Sequence, residues 1–516
     1  MSETRTQESD SAAKEPYKAP EGAGSTHSIS LQDGSRLDYA SSAQWLPVYD
    51  KRQKPVAEIF HVSYVSATDD EASSRPLTFV FNGGPGAASA YLHMGAVGPR
   101  RVVFNDDGSP SPPPVQIVDN AESWLAFTDL VFVDPVGTGF SRGIEQNAES
   151  GSTKEDAEKN NPDSPFFGLN RDLESLSEFM QTYLSQHRRW ESPVFIAGES
   201  YGGFRVAKLV RMLQERYSIG LCGAVLISPA LEFSLLDASD YDVLPWVDTF
   251  PTMALVAAAY SRHLASSASG TGAEAIETVR KVAERFAITS LPALLTAGHF
   301  TPAPEREEHY GIMSTYIGLS EDLIKKNEGR IRTRTFSREL LREQRRVLGL
   351  YDGTISVTDA YPDRDGYEGP DATLSTIDRI FGAGVNTQLR ATIGVKTDRE
   401  YRLLSYEVNR SWKIDYDRHV LQTQIGATDD LRYGMELNPY MKVRISHGIY
   451  DLVTPYFSAE RIVANMKLNP ESRSRLSLKH YPGGHMFYSR NASRTDFTAD
   501  MQSFYADAIA ARTATR

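Results

Sequence analysis

Near its middle the chain reads Pro193-Val194-Phe195-Ile196-Ala197-Gly198-Glu199-Ser200-Tyr201-Gly202-Gly203-Phe204-Arg205, and this stretch decides the fold. The apolar run around Phe195 and Ile196 predicts a buried strand, and apolar residues from Val206 to Leu213 then recur at helical spacing. Between them, Gly198 to Gly202 fit the pattern G-x-S-x-G. The stretch therefore predicts a strand, a sharp turn and a helix, with Ser200 at the turn.

The two glycines of this pattern favour exposure of the Ser200 hydroxyl. Without Cβ atoms at Gly198 and Gly202, strand and helix can approach closely, and the serine is lifted out at the carboxyl edge of a sheet. The amide of Tyr201 then lies at a helix N-terminus, where its N–H can face a developing oxyanion. An ordinary glycine-containing turn stays open as the alternative reading of this stretch alone.

Size and composition indicate a soluble globular protein. The 516 residues are 40% hydrophobic and 24% charged, which favours one large domain with an insertion. The formal charge of −12 and the lack of a basic run with interleaved aromatics argue against nucleic acid. A single cysteine, Cys222, allows no intrachain disulfide and no cysteine-clustered metal site. With no signal-like or membrane-spanning apolar segment, we expect a cytoplasmic protein without membrane contact.

The first part of the chain predicts a disordered lead-in followed by the opening strands of a core. Residues 1–26 are polar and lack periodicity, which is typical of disorder. Asp33-Gly34 indicates a hairpin between strands at 28–31 and 36–39. The sequence then predicts further strands at 57–65, 76–81, 130–134 and 223–227.

Two glycine-rich loops follow predicted strands of this core. Asn82-Gly83-Gly84-Pro85-Gly86-Ala87-Ala88-Ser89 would bring bare backbone amides close to a ligand, and such a loop supplies the second oxyanion donor in nucleophile-elbow enzymes. Asp134-Pro135-Val136-Gly137-Thr138-Gly139-Phe140-Ser141 lies at another carboxyl end, where α/β sheets bind ligands. A plain structural turn is the alternative for the first of these loops. The polar, acid-rich segment 146–165 is expected to be a surface loop or mobile flap.

The second half predicts a helical insertion and a return to the core. Residues 27–230 would form the first core part, 231–438 a mainly helical lid, and 439–516 the second core part. Ser320 is expected to begin one lid helix, and Ser337 another that ends near Gly349. An independent helical domain with its own partner is the alternative for the insertion. Strands are expected at 441–448 and 476–481, with a closing helix around Phe497 to Ala508.

Ser200, Asp451 and His485 are the candidate catalytic residues. They occur in the order Ser, Asp, His, each just beyond a predicted strand, so a parallel sheet would bring them to one edge. His485 would take the serine proton and return it to the leaving group, while Asp451 would fix the imidazole tautomer. The amides of Gly84 and Tyr201 would bind the oxyanion. No metal cluster or cofactor motif competes, and His447 breaks the expected order and is interpreted as structural.

The motifs together resemble those of the serine carboxypeptidases, the α/β-hydrolase peptidases that remove C-terminal residues. The matching stretches are Asn82 to Gly86, Asp134 to Ser141, Gly198 to Gly203, Gly448 to Asp451 with Pro455, and Gly484 to Met486. The resemblance implies an α/β-hydrolase fold, with a mixed, mostly parallel central sheet flanked by helices, and the triad assigned above. It also implies that Asn82, Gly83 and Glu199 hold the terminal carboxylate of a peptide substrate.

This assignment requires a protonated Glu199, because two carboxylates in contact cannot both stay ionised. We therefore expect peptidase activity to fall above neutral pH while ester hydrolysis persists. The function expected from the resemblance is a carboxypeptidase that works through an acyl-enzyme. An acyltransferase or esterase of the same family, and a catalytically silent binding protein, stay open as alternatives.

Overall fold

The structure is a computed structural model of the chain, and it describes residues 17–67, 74–145, 161–236, 238–262, 272–364, 366–414 and 425–513. Residues 1–16 of the expected lead-in and most of the expected flap at 146–165 lie outside these ranges. None of the helices in the described part of the chain is long and apolar enough to cross a membrane.

The strands of the described chain account for every strand expected from the sequence. They are β1 Ala23–Ser30, β2 Arg36–Tyr49, β3 Pro55–Ser66, β4 Leu77–Phe81, β5 Arg100–Val102, β6 Ile117–Asp119, β7 Asp129–Val133, β8 Arg142–Gly143, β9 Val194–Glu199, β10 Leu221–Ile227, β11 Arg346–Leu348, β12 Ser356–Thr358, β13 Lys442–Gly448 and β14 Leu476–Tyr481.

A ten-stranded sheet organises the described residues, with nine strands in the order β1-β2-β3-β7-β4-β9-β10-β13-β14 and β8 paired to β3. The opening strands β1, β2 and β3 are antiparallel to one another, and β3 is antiparallel to β7. From β7 to β14 all neighbours are parallel. The expected mixed, mostly parallel sheet is therefore confirmed. Its parallel part directs the carboxyl ends of β4, β7, β9, β13 and β14 to one edge.

The central strands are buried on both faces, which explains their nearly continuous apolar sequences. In β9, Val194 and Ile196 join one core cluster while Phe195 and Ala197 join the other. The C-terminal helix contributes to the second of these clusters through residues that include Tyr505. Layers of helices therefore cover both faces of the sheet, as an α/β fold requires.

Outside the sheet, the described chain contains fourteen α-helices of five or more residues. They are α1 Leu169–Gln186, α2 Tyr201–Arg216, α3 Leu244–Ala259, α4 Ala273–Thr289, α5 Leu291–Ala297, α6 Ala303–Ile317, α7 Glu321–Lys326, α8 Thr333–Glu339, α9 Leu374–Asn386, α10 Tyr406–Ser411, α11 Thr428–Leu437, α12 Tyr456–Asn465, α13 Pro470–Ser474 and α14 Asn491–Thr513.

The segment 231–438 is mainly helical, but its helices pack in different places. Helices α3 to α8 share a core cluster of their own, which also takes in Ile449 and Tyr450 from the loop after β13. Helix α9 packs into the core on one face of the sheet, and α11 packs on the other face. The expected boundaries of core and lid stay a prediction.

Two local expectations are wrong. Strand β1 begins at Ala23, inside the expected lead-in, because residues 23–30 pair antiparallel with 36–43 of β2. Ser337 does not begin a helix but lies within α8, where its hydroxyl donates to Leu348 O at 2.6 Å. Ser320 does cap α7, since its side chain accepts a hydrogen bond from Leu323 N.

Candidate active site

Ser200 occupies a sharp turn between β9 and α2, as the sequence predicts. Its backbone is strained, with φ 61° and ψ −124°. The flanking glycines are needed on steric grounds. A Cβ on Gly198 would lie 2.2 Å from Gly202 O, and one on Gly202 would lie 2.7 Å from Phe81 O. The turn can therefore form only where both positions lack a side chain.

The structure brings Asp451 and His485 into direct contact. His485 Nδ1 lies 2.6 Å from Asp451 Oδ2, and His485 and Asp451 are 2% and 0% exposed. The other carboxylate oxygen, Oδ1, accepts from the amides of Val453 at 2.8 Å and Thr454 at 3.0 Å. Burial lowers the pKa of His485, but the Asp451 carboxylate more than offsets this, and the net pKa lies above its usual value. This pair can orient an imidazole and stabilise its protonated form.

Ser200 and His485 are held by two consecutive residues, the last residue of β10 and the one that follows it. Ser200 N donates to Ile227 O at 2.9 Å, and Ser228 Oγ donates to the backbone oxygen of His485 at 2.9 Å. His485 Nε2 is buried and has no hydrogen-bond partner among the described residues, so a Ser200–His485 bond is not formed in this structure. Catalytic hydrogen bonds of this kind often close only when substrate binds.

The loop after β4 packs directly on the backbone of the Ser200 turn. A Cβ on Gly83 would lie 2.5 Å from Tyr201 N and 2.8 Å from Glu199 O. Gly84 has φ +101°, a conformation that favours glycine. The backbone at Gly83 therefore lies against the Ser200 turn, next to the Tyr201 amide, where an oxyanion hole would be needed.

Asn82 and Glu199 form a buried polar pair beside Ser200. Asn82 Nδ2 donates to Glu199 Oε2, and Asn82 Oδ1 accepts from Leu92 N at 3.0 Å, which fixes the orientation of the amide. Glu199 is 3% exposed, and its Oε1 has no hydrogen-bond partner among the described residues. Burial raises the pKa of Glu199 to about 7, although His485, Tyr488 and Asn82 all lower it. The carboxyl group can therefore be protonated near neutral pH and donate a hydrogen bond.

Arg205 anchors the loop that carries Asn82. Its guanidinium donates to Asn82 O at 2.8 Å and forms an ion pair with Asp172 of α1, with Nε 2.7 Å from Oδ2. The same group lies over the ring of Tyr201, 4.9 Å from its centroid. Because Arg205 is 1% exposed, this contact joins α1, α2 and the Asn82 loop in a water-excluded environment.

The sequence alone did not point to several residues that support this site. Thr454 lies within hydrogen-bond distance of Asp451 and His485, and an Asp-x-x-Thr turn is the signal that could have identified it. A segment after α9 covers the Asn82 loop. Its Ser405 N donates to Gly86 O at 2.8 Å, and Asn409 Nδ2 donates to Pro85 O at 3.1 Å. No local pattern predicts this second contact, because its two sides are over 300 residues apart.

The other buried histidines have no comparable geometry. His447 is 1% exposed, both of its ring nitrogens lack hydrogen-bond partners in the described structure, and burial lowers its pKa to about 3. Its interpretation as a structural residue therefore agrees with its environment. Within the described ranges, no group of three or more His, Cys, Asp or Glu residues could hold a metal ion.

Strand order, the Ser200 turn and the polar pair define an α/β-hydrolase with a serine-hydrolase-like site. The family model for serine carboxypeptidase matches residues 44–264. Serine carboxypeptidase-like 45 of Arabidopsis thaliana is 26% identical over 204 residues, which cover 39% of this chain and 38% of that protein. The pheromone-processing carboxypeptidase KEX1 of Yarrowia lipolytica is 30% identical over 157 residues, 30% of this chain and 22% of that protein. Residues 44–264, less than half of the chain, are thus similar to the serine carboxypeptidase family.

A solved structure supports the fold over most of the chain. The prohormone-processing carboxypeptidase KEX1 of Saccharomyces cerevisiae superposes with a TM-score of 0.54 and covers 91% of each chain at 15% sequence identity. At this identity the likeness concerns the fold alone. The sequence matches cover about two fifths or less of the curated relatives' length, so they leave the specific activity of this chain open.

Proposed function

We propose that this protein is a serine carboxypeptidase that releases C-terminal residues from peptides through an acyl-enzyme intermediate. The observation that carries the proposal is the buried pair of Asn82 and Glu199 next to Ser200. A substrate carboxylate needs hydrogen-bond donors. Glu199 can be one of them, because burial raises its pKa to about 7 and a protonated carboxyl group donates a hydrogen bond. Hydrolysis of uncharged esters would not require a protonated hydrogen-bond donor at this position.

The reaction follows from the arrangement of the side chains. As Ser200 Oγ bonds to the carbonyl carbon of the last peptide bond, its proton passes to His485 Nε2. The negative charge on the former carbonyl oxygen is stabilised by the amides of Gly84 and Tyr201. His485 then gives the proton to the leaving nitrogen, the C–N bond breaks, and the C-terminal amino acid departs.

Water removes the acyl group from Ser200, and this step also needs two proton transfers through His485. His485 takes a proton from the water molecule, the hydroxide adds to the acyl carbon, and His485 returns the proton to Ser200 Oγ as the ester bond breaks. Asp451 stabilises the imidazolium in both halves of the reaction. Asn82, Gly83 and Glu199 hold the terminal carboxylate, so the scissile bond is the last one of the chain.

Mass spectrometry of matched peptides tests this proposal. We expect N-terminally blocked peptides with a free C-terminal acid to lose single residues, and the same peptides with a C-terminal amide to be cleaved at least about 100-fold more slowly. The Ser200→Ala variant should cleave neither and should not react with a fluorophosphonate probe. Equal cleavage of both peptides, or acyl transfer to an added alcohol without peptide cleavage, would favour an esterase or acyltransferase. Unlabelled wild-type protein would indicate a binding protein.

A further inference from the structure

Thr454 lies at the centre of the contacts around the Asp451–His485 pair. Its Oγ1 is 2.7 Å from Asp451 Oδ2, 3.1 Å from His485 Nδ1 and 3.0 Å from Ser228 O. The residue is 3% exposed, so these contacts are not in competition with bulk water. The hydroxyl has one proton and can donate to only one acceptor at a time.

We propose that Thr454 is a positioning residue that donates its hydroxyl proton to Asp451 Oδ2, the same oxygen that accepts from His485, and thereby keeps the imidazole a weaker base. The inference rests on the catalytic role proposed for this pair. It concerns how the basicity of His485 is set, which the reaction scheme above leaves open.

The choice of acceptor follows from charge and distance. Asp451 Oδ2 is both the nearer acceptor and an ionised one, and hydrogen bonds to ionised acceptors are about twice as strong as those between neutral groups. With Thr454 donating, Asp451 accepts four hydrogen bonds, two at Oδ1 and two at Oδ2. Each added donor draws charge from the carboxylate and leaves less of it to stabilise a protonated His485.

The opposite arrangement makes the opposite prediction. If Thr454 donated to Ser228 O, its oxygen lone pair would face His485 Nδ1 and act as a second acceptor for the imidazolium proton. Removal of the hydroxyl would then lower the pKa of His485. In the arrangement that we propose, removal of the Thr454 hydroxyl raises the pKa of His485, because Asp451 Oδ2 loses a donor that competes with the imidazole. The sign of the change therefore separates the two arrangements.

We expect the other groups around His485 to stay in place when only the Thr454 hydroxyl is removed. Those that lie near it are the Asp451 carboxylate, the Glu199 carboxyl, the imidazole of His447 and the ring of Tyr351, which is nearly perpendicular to the imidazole. Thr454→Val keeps the shape and branching of the side chain, so a shift in the variant reports the hydroxyl and not a rearranged charge.

Thr252 offers a matched control in the same molecule. It is 0% exposed in α3, and its Oγ1 has no hydrogen-bond partner among the described residues. Thr252→Val therefore makes the same chemical change at a buried site without removing a hydrogen bond near the pair. We expect it to leave the titration of His485 unchanged.

The direct test is an NMR titration of His485 in proteins that also carry Ser200→Ala, with ¹⁵N-labelled histidine and the signal assigned by its loss in His485→Gln. We expect Thr454→Val to raise the pKa of His485 by about 0.5 to 1 unit relative to Thr454 protein. Thr454→Ser, which keeps the hydroxyl, should restore the original value. Thr454→Ala gives the same readout if the valine variant does not fold.

An unchanged or lowered pKa in Thr454→Val, or an equal rise in Thr252→Val, would overturn the proposal. The titration needs no substrate and no turnover, so it stays informative even if the protein cleaves no peptide. Where turnover is found, the acid limb of kcat/KM for a C-terminal ester substrate should move to higher pH by the same amount in Thr454→Val.

Discussion

Among single residues, Glu199 connects the chemistry of the site to pH. Its carboxyl is buried against Asn82, and the pKa of about 7 means that it loses its proton near neutral pH. An ionised Glu199 would repel a substrate carboxylate. We expect cleavage of free-acid peptides to fall about tenfold for each pH unit above 7, while hydrolysis of C-terminal esters continues. Parallel kcat/KM profiles for the two substrates measure this.

Glu199→Gln tests the role of the carboxyl proton, because it removes the titrating group and keeps the size of the side chain. The amide oxygen can still accept from Asn82, and the amide NH₂ can donate to a carboxylate without titrating. We expect kcat/KM of this variant for free-acid peptides to show no decrease above about pH 7, so that activity is still measurable at about pH 8.5. Identical profiles for wild type and variant would remove Glu199 from carboxylate binding.

The residues of the site differed in how far the sequence could predict them. The sequence identifies Ser200, Asp451 and His485 because each follows the end of a predicted strand. Their order along the chain therefore predicts that they meet at one edge of the sheet. Thr454 has no such position in the pattern, because a threonine in a turn is common and its contact with His485 joins distant parts of the chain. The prediction of Ser200 as nucleophile awaits the labelling experiment.

Among the structural elements, the loop after β4 depends on the absence of a side chain at Gly83. A Cβ there would lie within 3 Å of three backbone atoms of the Ser200 turn, and backbone atoms cannot move aside as a flexible side chain can. We expect Gly83→Ala to displace the loop, reduce kcat/KM by about 100-fold and cost roughly 1–3 kcal/mol in the free energy of unfolding. Steady-state kinetics and denaturant titration measure the two effects.

Gly220→Ala is the control for this substitution. Nothing lies within 4 Å of a Cβ at Gly220, which precedes β10 on the chain. We expect this variant to match wild type in kcat/KM and in stability. A Gly83→Ala protein that is as active as Gly220→Ala would show that the loop does not need its close approach to Tyr201.

Strands were easier to predict than the packing of the helices. The apolar runs of β4, β7 and β9 identify doubly buried strands because a central parallel strand has no polar face. The segment around Ser405 is different, since it contacts Gly86 through backbone atoms, which any sequence can supply. Local sequence could not have placed it over the Asn82 loop.

In the molecule as a whole, buried carboxyl groups with raised pKa values link folding to pH. Asp134 follows β7, is 3% exposed, and accepts from Ser89 N at 2.9 Å through Oδ1, while its Oδ2 has no partner among the described residues. Burial raises the pKa of Asp134 to about 7, although the hydrogen bonds from Ser89 and Tyr401 lower it. Below about pH 7, the carboxyl group between the sheet and the segment that carries Tyr401 is therefore protonated.

The sign of the pH effect follows from this shift. Between about pH 4 and pH 7 the folded protein keeps the Asp134 proton and the unfolded chain does not, so this group's contribution to stability falls as pH rises through that window. An asparagine side chain at this position would mimic the protonated acid at every pH. We expect Asp134→Asn to have a higher Tm than wild type at about pH 8, by about 2 °C or more, with the difference shrinking toward about pH 5.

Asp129→Asn tests whether this gain is specific to a neutral buried acid. Asp129 is also fully buried, but its carboxylate lies 2.8 Å from Arg75 and 2.7 Å from Arg189. Removing its charge leaves two arginines without their partner, so this variant should lose stability at about pH 8, where Asp134→Asn gains it. Thermal unfolding of both variants from about pH 5 to about pH 8.5 measures the contrast. If Asp134→Asn instead lost stability in the alkaline part of this range, the carboxylate would be ionised in the folded protein and would hold the Ser89 and Tyr401 contacts through its charge.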